Sequence, residues 1–182
     1  QAVRPRTDLR GTSRGYSSRR RERHRSLCQG QYYLDCYCGK GGISAGLEAA
    51  GFVVKRVDKE LGPAGGVGLA ANRAMYLRDA RMGKILGANL GPPCTTLSTM
   101  QDLTRVIRTR QFPKGVPDLS EYDQKRVDEG NVHALFSIQL MRILKRLGRP
   151  CVIENPRASR LWFFPEVLAL LREGALLLTM DM

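Results

Sequence analysis

The stretch from Gln31 to Asp58 constrains this chain most. Gln31 to Cys36 is a short β-type run carrying Tyr32, Tyr33 and Leu34, and it stops at Asp35-Cys36. A glycine cluster follows, Gly39-Lys40-Gly41-Gly42. Ile43 to Ala50 then reads as a helix, closed by Gly51. Phe52 to Val57 is a second strand ending at Asp58. Strand, glycine turn, helix, strand and acid, in that order, make half of a doubly wound sheet. The expected class is therefore α/β, Rossmann-like, with a mostly parallel doubly wound sheet.

The rest of the chain extends the pattern. Residues 61–68 form a glycine-rich loop, and Leu69 to Met82 is a helix ended by Gly83. Lys84 to Leu90 reads as a buried strand that runs into Gly91-Pro92-Pro93-Cys94. Two prolines cannot donate to a ladder, so the strand must stop and the loop must project from its end. Residues 95–129 are polar and irregular. A connection of that length is expected to be functional or mobile. Gly130 to Leu147 carries Phe136, Leu140, Ile143 and Leu147 on one helical stripe. Cys151 to Ile153 is a short strand that delivers Glu154-Asn155-Pro156. Pro165 to Arg172 opens with proline at its first turn and reads as a helix. Ala175 to Met180 reads as a further strand, cut off by the end of the chain. No internal repeat is visible.

A chain of 182 residues with 42% hydrophobic positions supports one domain and its core. No apolar run reaches the length of a membrane span, so no membrane is expected. The arginine-rich start has no apolar segment behind it and is not a secretory signal. Five cysteines, irregularly spaced, do not make a disulfide framework. An intracellular, reduced protein is expected, nuclear if the source is eukaryotic. The chain starts at Gln1 and ends in apolar residues, so it reads as a C-terminally truncated fragment.

Charge is uneven. Residues 1–30 hold nine arginines against Asp8 and Glu22, a balance of +7 within a total of +13. With no apolar period, this basic arm cannot offset its ordering entropy and reads as disordered. Residues 31–182 are the folded unit. A basic arm on a mildly basic body suits a polyanion, because neutralised phosphates release counterions. A solvated tail with no specific role is the plain alternative.

Three clusters carry chemistry: Asp35-Cys36-Tyr37-Cys38-Gly39-Lys40-Gly41-Gly42, Gly91-Pro92-Pro93-Cys94 and Glu154-Asn155-Pro156. Each follows a strand, so a parallel sheet brings all three to one edge, where ligands bind. Gly39, Gly41 and Gly42 allow a ligand close to the backbone. The turn is not a P-loop, and it does not match the dinucleotide fingerprint cleanly. Asp58 is placed to accept from ribose hydroxyls; a solvated strand-end acid is its alternative. Cys94 on its turn suits a nucleophile, whereas Cys28 and Cys151 read as small buried hydrophobes. Glu154 suits proton sharing in a cleft. Cys36 and Cys38, with two histidines in the chain, do not make a zinc set, so no metal is expected.

Together the clusters resemble the DNA cytosine-5 methyltransferases, within the class I S-adenosylmethionine (SAM) methyltransferases. The family's Asp-x-Phe-x-Gly-x-Gly-Gly is matched by Asp35, Tyr37, Gly39, Gly41 and Gly42. Its Pro-Cys-Gln and following Ser are matched by Pro93-Cys94-Thr95 and Ser98, and its Glu-Asn-Val by Glu154-Asn155-Pro156. Thr95 and Pro156 depart from the pattern. The span from Cys94 to Glu154 is longer than the family's usual one. The acid after the family's third strand has no match in residues 61–68. The resemblance covers residues 31–182. It implies a SAM-dependent methyltransferase fold and methylation of cytosine C5 through a covalent Cys94 adduct, with Glu154 on the base edge. It also implies SAM as cofactor, with Tyr37 stacked on the adenine, Asp58 on the ribose, and Asp35 and the three glycines lining the site. The target base would leave the stack, and the arm would grip phosphates. DNA is favoured over RNA as partner. Two rivals stay open: a methyltransferase-like nucleic-acid-binding module without activity, and an RNA methyltransferase.

Overall fold

The computed structural model describes residues 30–62 and 66–179; the expectations for residues 1–29 fall outside them. Four strands form one sheet: β1 (Tyr32–Cys36), β2 (Val54–Val57), β3 (Ile85–Leu90) and β4 (Cys151–Ile153). Their order is β2-β1-β3-β4, and every pair is parallel. Four helices join or follow them: α1 (Gly42–Ala49), α2 (Ala70–Arg81), α3 (Glu121–Arg146) and α4 (Pro165–Arg172). The α/β class and the parallel sheet are as the sequence reads.

The strand order explains the layering. The chain steps from β1 to β2 in one direction, then from β2 to β3 and β4 in the other. Right-handed crossovers then require α1 on one face and the next two helices on the opposite face. Leu34 and Cys36 of β1, with Ala88 and Leu90 of β3, face Tyr76 and Ala80 of α2 and Phe136, Leu140 and Leu144 of α3. Asp35 points the other way and meets Ser44 of α1. The strands alternate because successive side chains leave a strand on opposite faces. Burying a leucine such as Leu34 or Leu140 contributes about 2 kcal/mol.

A second apolar cluster lies behind α3. Leu97 from the loop after Cys94 packs with Ala134 and Ile138 of α3, and with Phe164, Val167 and Leu170 around α4. Thus α3 has two buried sides, one for the sheet and one for the segment after Cys94. The stripe inferred from spacing shifts accordingly. Leu144 takes the place expected of Leu147, which caps the helix and stays exposed.

Three expectations are corrected. Residues 95–129 are not irregular throughout. Thr99–Leu103 is a 3₁₀ turn capped by the Ser98 side chain, and α3 begins at Glu121 rather than Gly130. Ser120 accepts from the Asp123 N–H, and Glu121 and Asp123 add acidic charge to the first turn. Gly130 is no helix start. It lies inside α3, where an added Cβ would stand 2.5 Å from Thr96 Oγ1. The strand expected over Ala175 to Met180 does not form within residues 175–179. Leu176 is 83% and Leu178 78% exposed there. Apolar content alone does not make a strand; a ladder partner is needed, and this segment has none among the described residues.

Candidate active site

The three clusters do meet at the C-terminal edge of the sheet. Val57, Cys36, Leu90 and Ile153 stand in one row across the four strands. The residues that follow continue the ladder: Tyr37 N–H donates to Val57 O, Gly91 N–H to Cys36 O and Glu154 N–H to Leu90 O. The edge lies where the strand order reverses, between β1 and β3, the position at which open α/β sheets take ligands.

The glycine turn after β1 is strongly bent. Tyr37, Gly39 and Gly41 all have left-handed backbone, with φ of 62°, 48° and 73°. Only glycine takes that geometry without strain, which accounts for two of the three. Gly41 precedes α1 and offers no side-chain cap, so the first N–H groups of the helix have no capping side chain. An added Cβ on Gly39 or Gly42 would meet nothing within 4 Å, whereas on Gly41 it would stand 3.3 Å from Arg56 Nη1.

Two acids hold this turn. Asp35 is 1% exposed; it accepts from Ser44 Oγ at 2.5 Å and from Asn89 Nδ2 at 3.0 Å. Its oxygens therefore tie β1 to α1 and β3. Asp58 accepts from the Gly39 N–H at 2.9 Å and from the Glu60 N–H at 3.1 Å. Tyr37 turns its ring toward α3, edge-on with His133 at 5.5 Å between centroids, with its hydroxyl 3.2 Å from His133 Nδ1. Burial pushes the Tyr37 phenol up and the His133 imidazole down, so both stay neutral near pH 7. Sequence reading missed His133, because nothing in the spacing links it to a tyrosine 96 residues away.

Cys94 is half-buried and opens a turn in which the Leu97 and Ser98 N–H groups both donate to its carbonyl. The Asn155 amide donates to Pro92 O at 2.8 Å, which joins the loop after β4 to the one after β3. Glu154 is exposed, and its carboxylate has no partner among the described residues. An added Cβ on Gly91 would lie 3.4 Å from Glu154 Oε2 and 3.9 Å from the Tyr37 carbonyl, so Gly91 is the common neighbour of two clusters. Cys151 behaves as a partly buried apolar residue, its thiol pushed up to about 12 by burial. Cys36 is fully buried.

Among the described residues no group of three or more His, Cys, Asp or Glu could hold a metal ion, and no helix is long and apolar enough to cross a membrane. No family model, curated protein or solved structure matches this chain. What the fold and site define is a class of arrangement: an open parallel α/β sheet with a glycine turn, a cysteine turn and a free carboxylate on one edge.

Proposed function

We propose that this chain is the core of a SAM-dependent methyltransferase that acts on C5 of cytosine in DNA. One observation carries the reading. The glycine turn, the Cys94 turn and the Glu154-Asn155 pair meet at the C-terminal edge of a parallel sheet, where Gly91 N–H donates to Cys36 O, Glu154 N–H to Leu90 O and the Asn155 amide to Pro92 O. The glycine turn fits a cofactor, since Gly39 and Gly42 have open space where side chains would stand. SAM, when bound, supplies an electrophilic methyl group.

The chain's own residues do the rest. The Cys94 thiolate adds to C6 of the ring, and the electron pair moves to C5, which becomes nucleophilic enough to take the methyl. Glu154 hydrogen-bonds the N3/N4 edge and favours the protonated ring, stabilising charge as it develops. Loss of the C5 proton to solvent then expels the thiolate and restores the ring. Asp58 and Asp35 keep the glycine turn in shape. The target base leaves the stack to reach Cys94.

A DNA duplex with 5-fluorocytosine, incubated with the chain and SAM, tests this. It cannot lose a proton from C5, so a covalent adduct should accumulate and survive denaturation. Cys94→Ser should abolish the adduct, because a hydroxyl is far less ionised than a thiol near neutral pH. Cys36→Ser, Cys38→Ser and Cys151→Ser should leave it intact. An adduct that persists in Cys94→Ser would move the role elsewhere. Thr95 and Pro156 depart from the family pattern and favour the inactive binding module as the second reading. DNA binding with neither SAM binding nor adduct would establish it. An adduct on RNA alone would change the substrate.

A further inference from the structure

We propose that Arg108 is the positioning residue for the Cys94 segment, seated in a socket built from Thr96, Gly130 and Asn131. The role rests on the reading of Cys94 as the nucleophile. The socket itself is independent of it.

Arg108 is 1% exposed and is the largest fully buried side chain among the described residues. None of its partners is a carboxylate. Its Nη1 donates to Pro113 O and Asn131 Oδ1, each at 2.7 Å; its Nη2 donates to Val127 O at 2.8 Å and Thr96 Oγ1 at 3.2 Å. Nε is buried with no hydrogen-bond partner among the described residues. The Phe164 ring centroid lies 6.0 Å from the guanidinium carbon. A buried cation met by neutral oxygens and one ring face, with no carboxylate, is costly, and an apolar side chain of similar volume would fill the space more cheaply. Burial accordingly lowers the guanidinium to about 10, with Asp128 opposing. What an apolar side chain could not do is join three separate segments.

Those segments are the turn after Cys94, the 107–116 loop and the middle of α3. Thr96 lies two residues past Cys94. Gly130 is the second sign of a built socket. An added Cβ there would meet Thr96 Oγ1 at 2.5 Å and Arg108 Nη2 at 3.0 Å, so a helix-weakening residue stands where the close approach needs it. Asn131 completes the link, accepting from Arg108 while its Nδ2 donates to Lys114 O at 2.8 Å. The cation thus replaces the local ladder that an irregular loop lacks. Freed from it, the turn carrying Cys94 would be held by the Asn155–Pro92 bond, by the Arg160 N–H on Leu97 O and by the Leu97 side chain in the second apolar cluster.

The test uses the full chain and the variants Arg108→Lys, Arg108→Met and Thr96→Val. Cys94 alkylation by iodoacetamide is followed by peptide mass spectrometry, alongside circular dichroism and adduct formation on 5-fluorocytosine DNA. In each folded variant Cys94 should react at least about fivefold faster, with Cys38 unchanged, because the turn opens locally. Turnover should fall while KM for SAM stays put, and lysine should not rescue, since it lacks the planar fork. If Arg108→Met fails to fold, Thr96→Val decides, because it removes one hydroxyl and keeps the shape. A Cys94 rate unchanged in folded Thr96→Val and Arg108→Lys would overturn the proposal. Faster alkylation with no adduct in the unaltered chain would leave the socket's hold on the Cys94 turn standing and sink the methyltransferase reading, and with it the catalytic meaning of that hold.

Discussion

The side-chain amide of Asn155 donates to the carbonyl of Pro92 at 2.8 Å, while its own Oδ1 is buried with no partner among the described residues. One bond therefore joins two loops of the sheet edge that are 63 residues apart. Asn155→Ala should cost about 1 kcal/mol, because the broken bond is partly offset by removal of the orphaned oxygen. Asn155→Asp should cost more, since a carboxylate cannot donate and repels the Pro92 carbonyl. Urea unfolding of the two variants checks the order, and an equal loss would remove the donor from the explanation.

Gly130 sets two effects against each other. Alanine is favoured over glycine in a helix by about 1 kcal/mol. Its Cβ would nevertheless stand 2.5 Å from Thr96 Oγ1. Overpacking of a filled site costs about 1–3 kcal/mol, so Gly130→Ala should be net destabilising. A melting temperature higher than that of the unaltered chain would show that Thr96 rotates away freely.

Asp79 supplies a pH dependence far from the site. Burial alone would raise its carboxyl, but the Tyr32 hydroxyl at 2.7 Å and the Lys84 ammonium outweigh that and lower it. A carboxyl lowered in the folded state contributes stability above its unfolded pKa of about 3.9, and that stability is lost as pH falls through the folded value. Asp79→Asn should thus be less stable than the unaltered chain at pH 7, with the gap narrowing below about pH 4. Unfolding free energies measured from pH 7 to pH 3 test this; a gap independent of pH would mean the charge is not involved.

Deleting residues 1–29 removes nine arginines. For every arginine among them that neutralises a phosphate, the log–log salt slope of nucleic-acid binding should flatten by about 0.9. Affinity should drop alike for all sequences, and the melting of the remaining domain should not change. Fluorescence anisotropy between low and moderate salt reads the slope, and an unaltered slope would leave the arm as a solvated leader.

Much of this arrangement is local and legible in one dimension. Glycines at 39 and 41 need positive φ, Pro92 and Pro93 must end a strand, and Pro165 starts a helix. Such constraints depend on neighbours in the chain, so residue type reveals them. The meeting of the Asp35, Cys94 and Glu154 clusters on one edge also follows, because parallel strands put all their C-terminal ends together. The N-terminus of α3 is legible too, in Ser120 and Asp123, but Gly130 obscures it. Packing alone explains why that glycine is there, why Arg108 is buried rather than solvated, why His133 faces Tyr37, and why Ala175 to Thr179 finds no partner strand. Each of these depends on which distant backbone comes near, through hydrogen bonds whose partners lie up to 96 residues apart. Periodicity and composition carry no record of such distances. Residue order dictates the succession of elements and where each one stops; the folded chain dictates what each loop then touches.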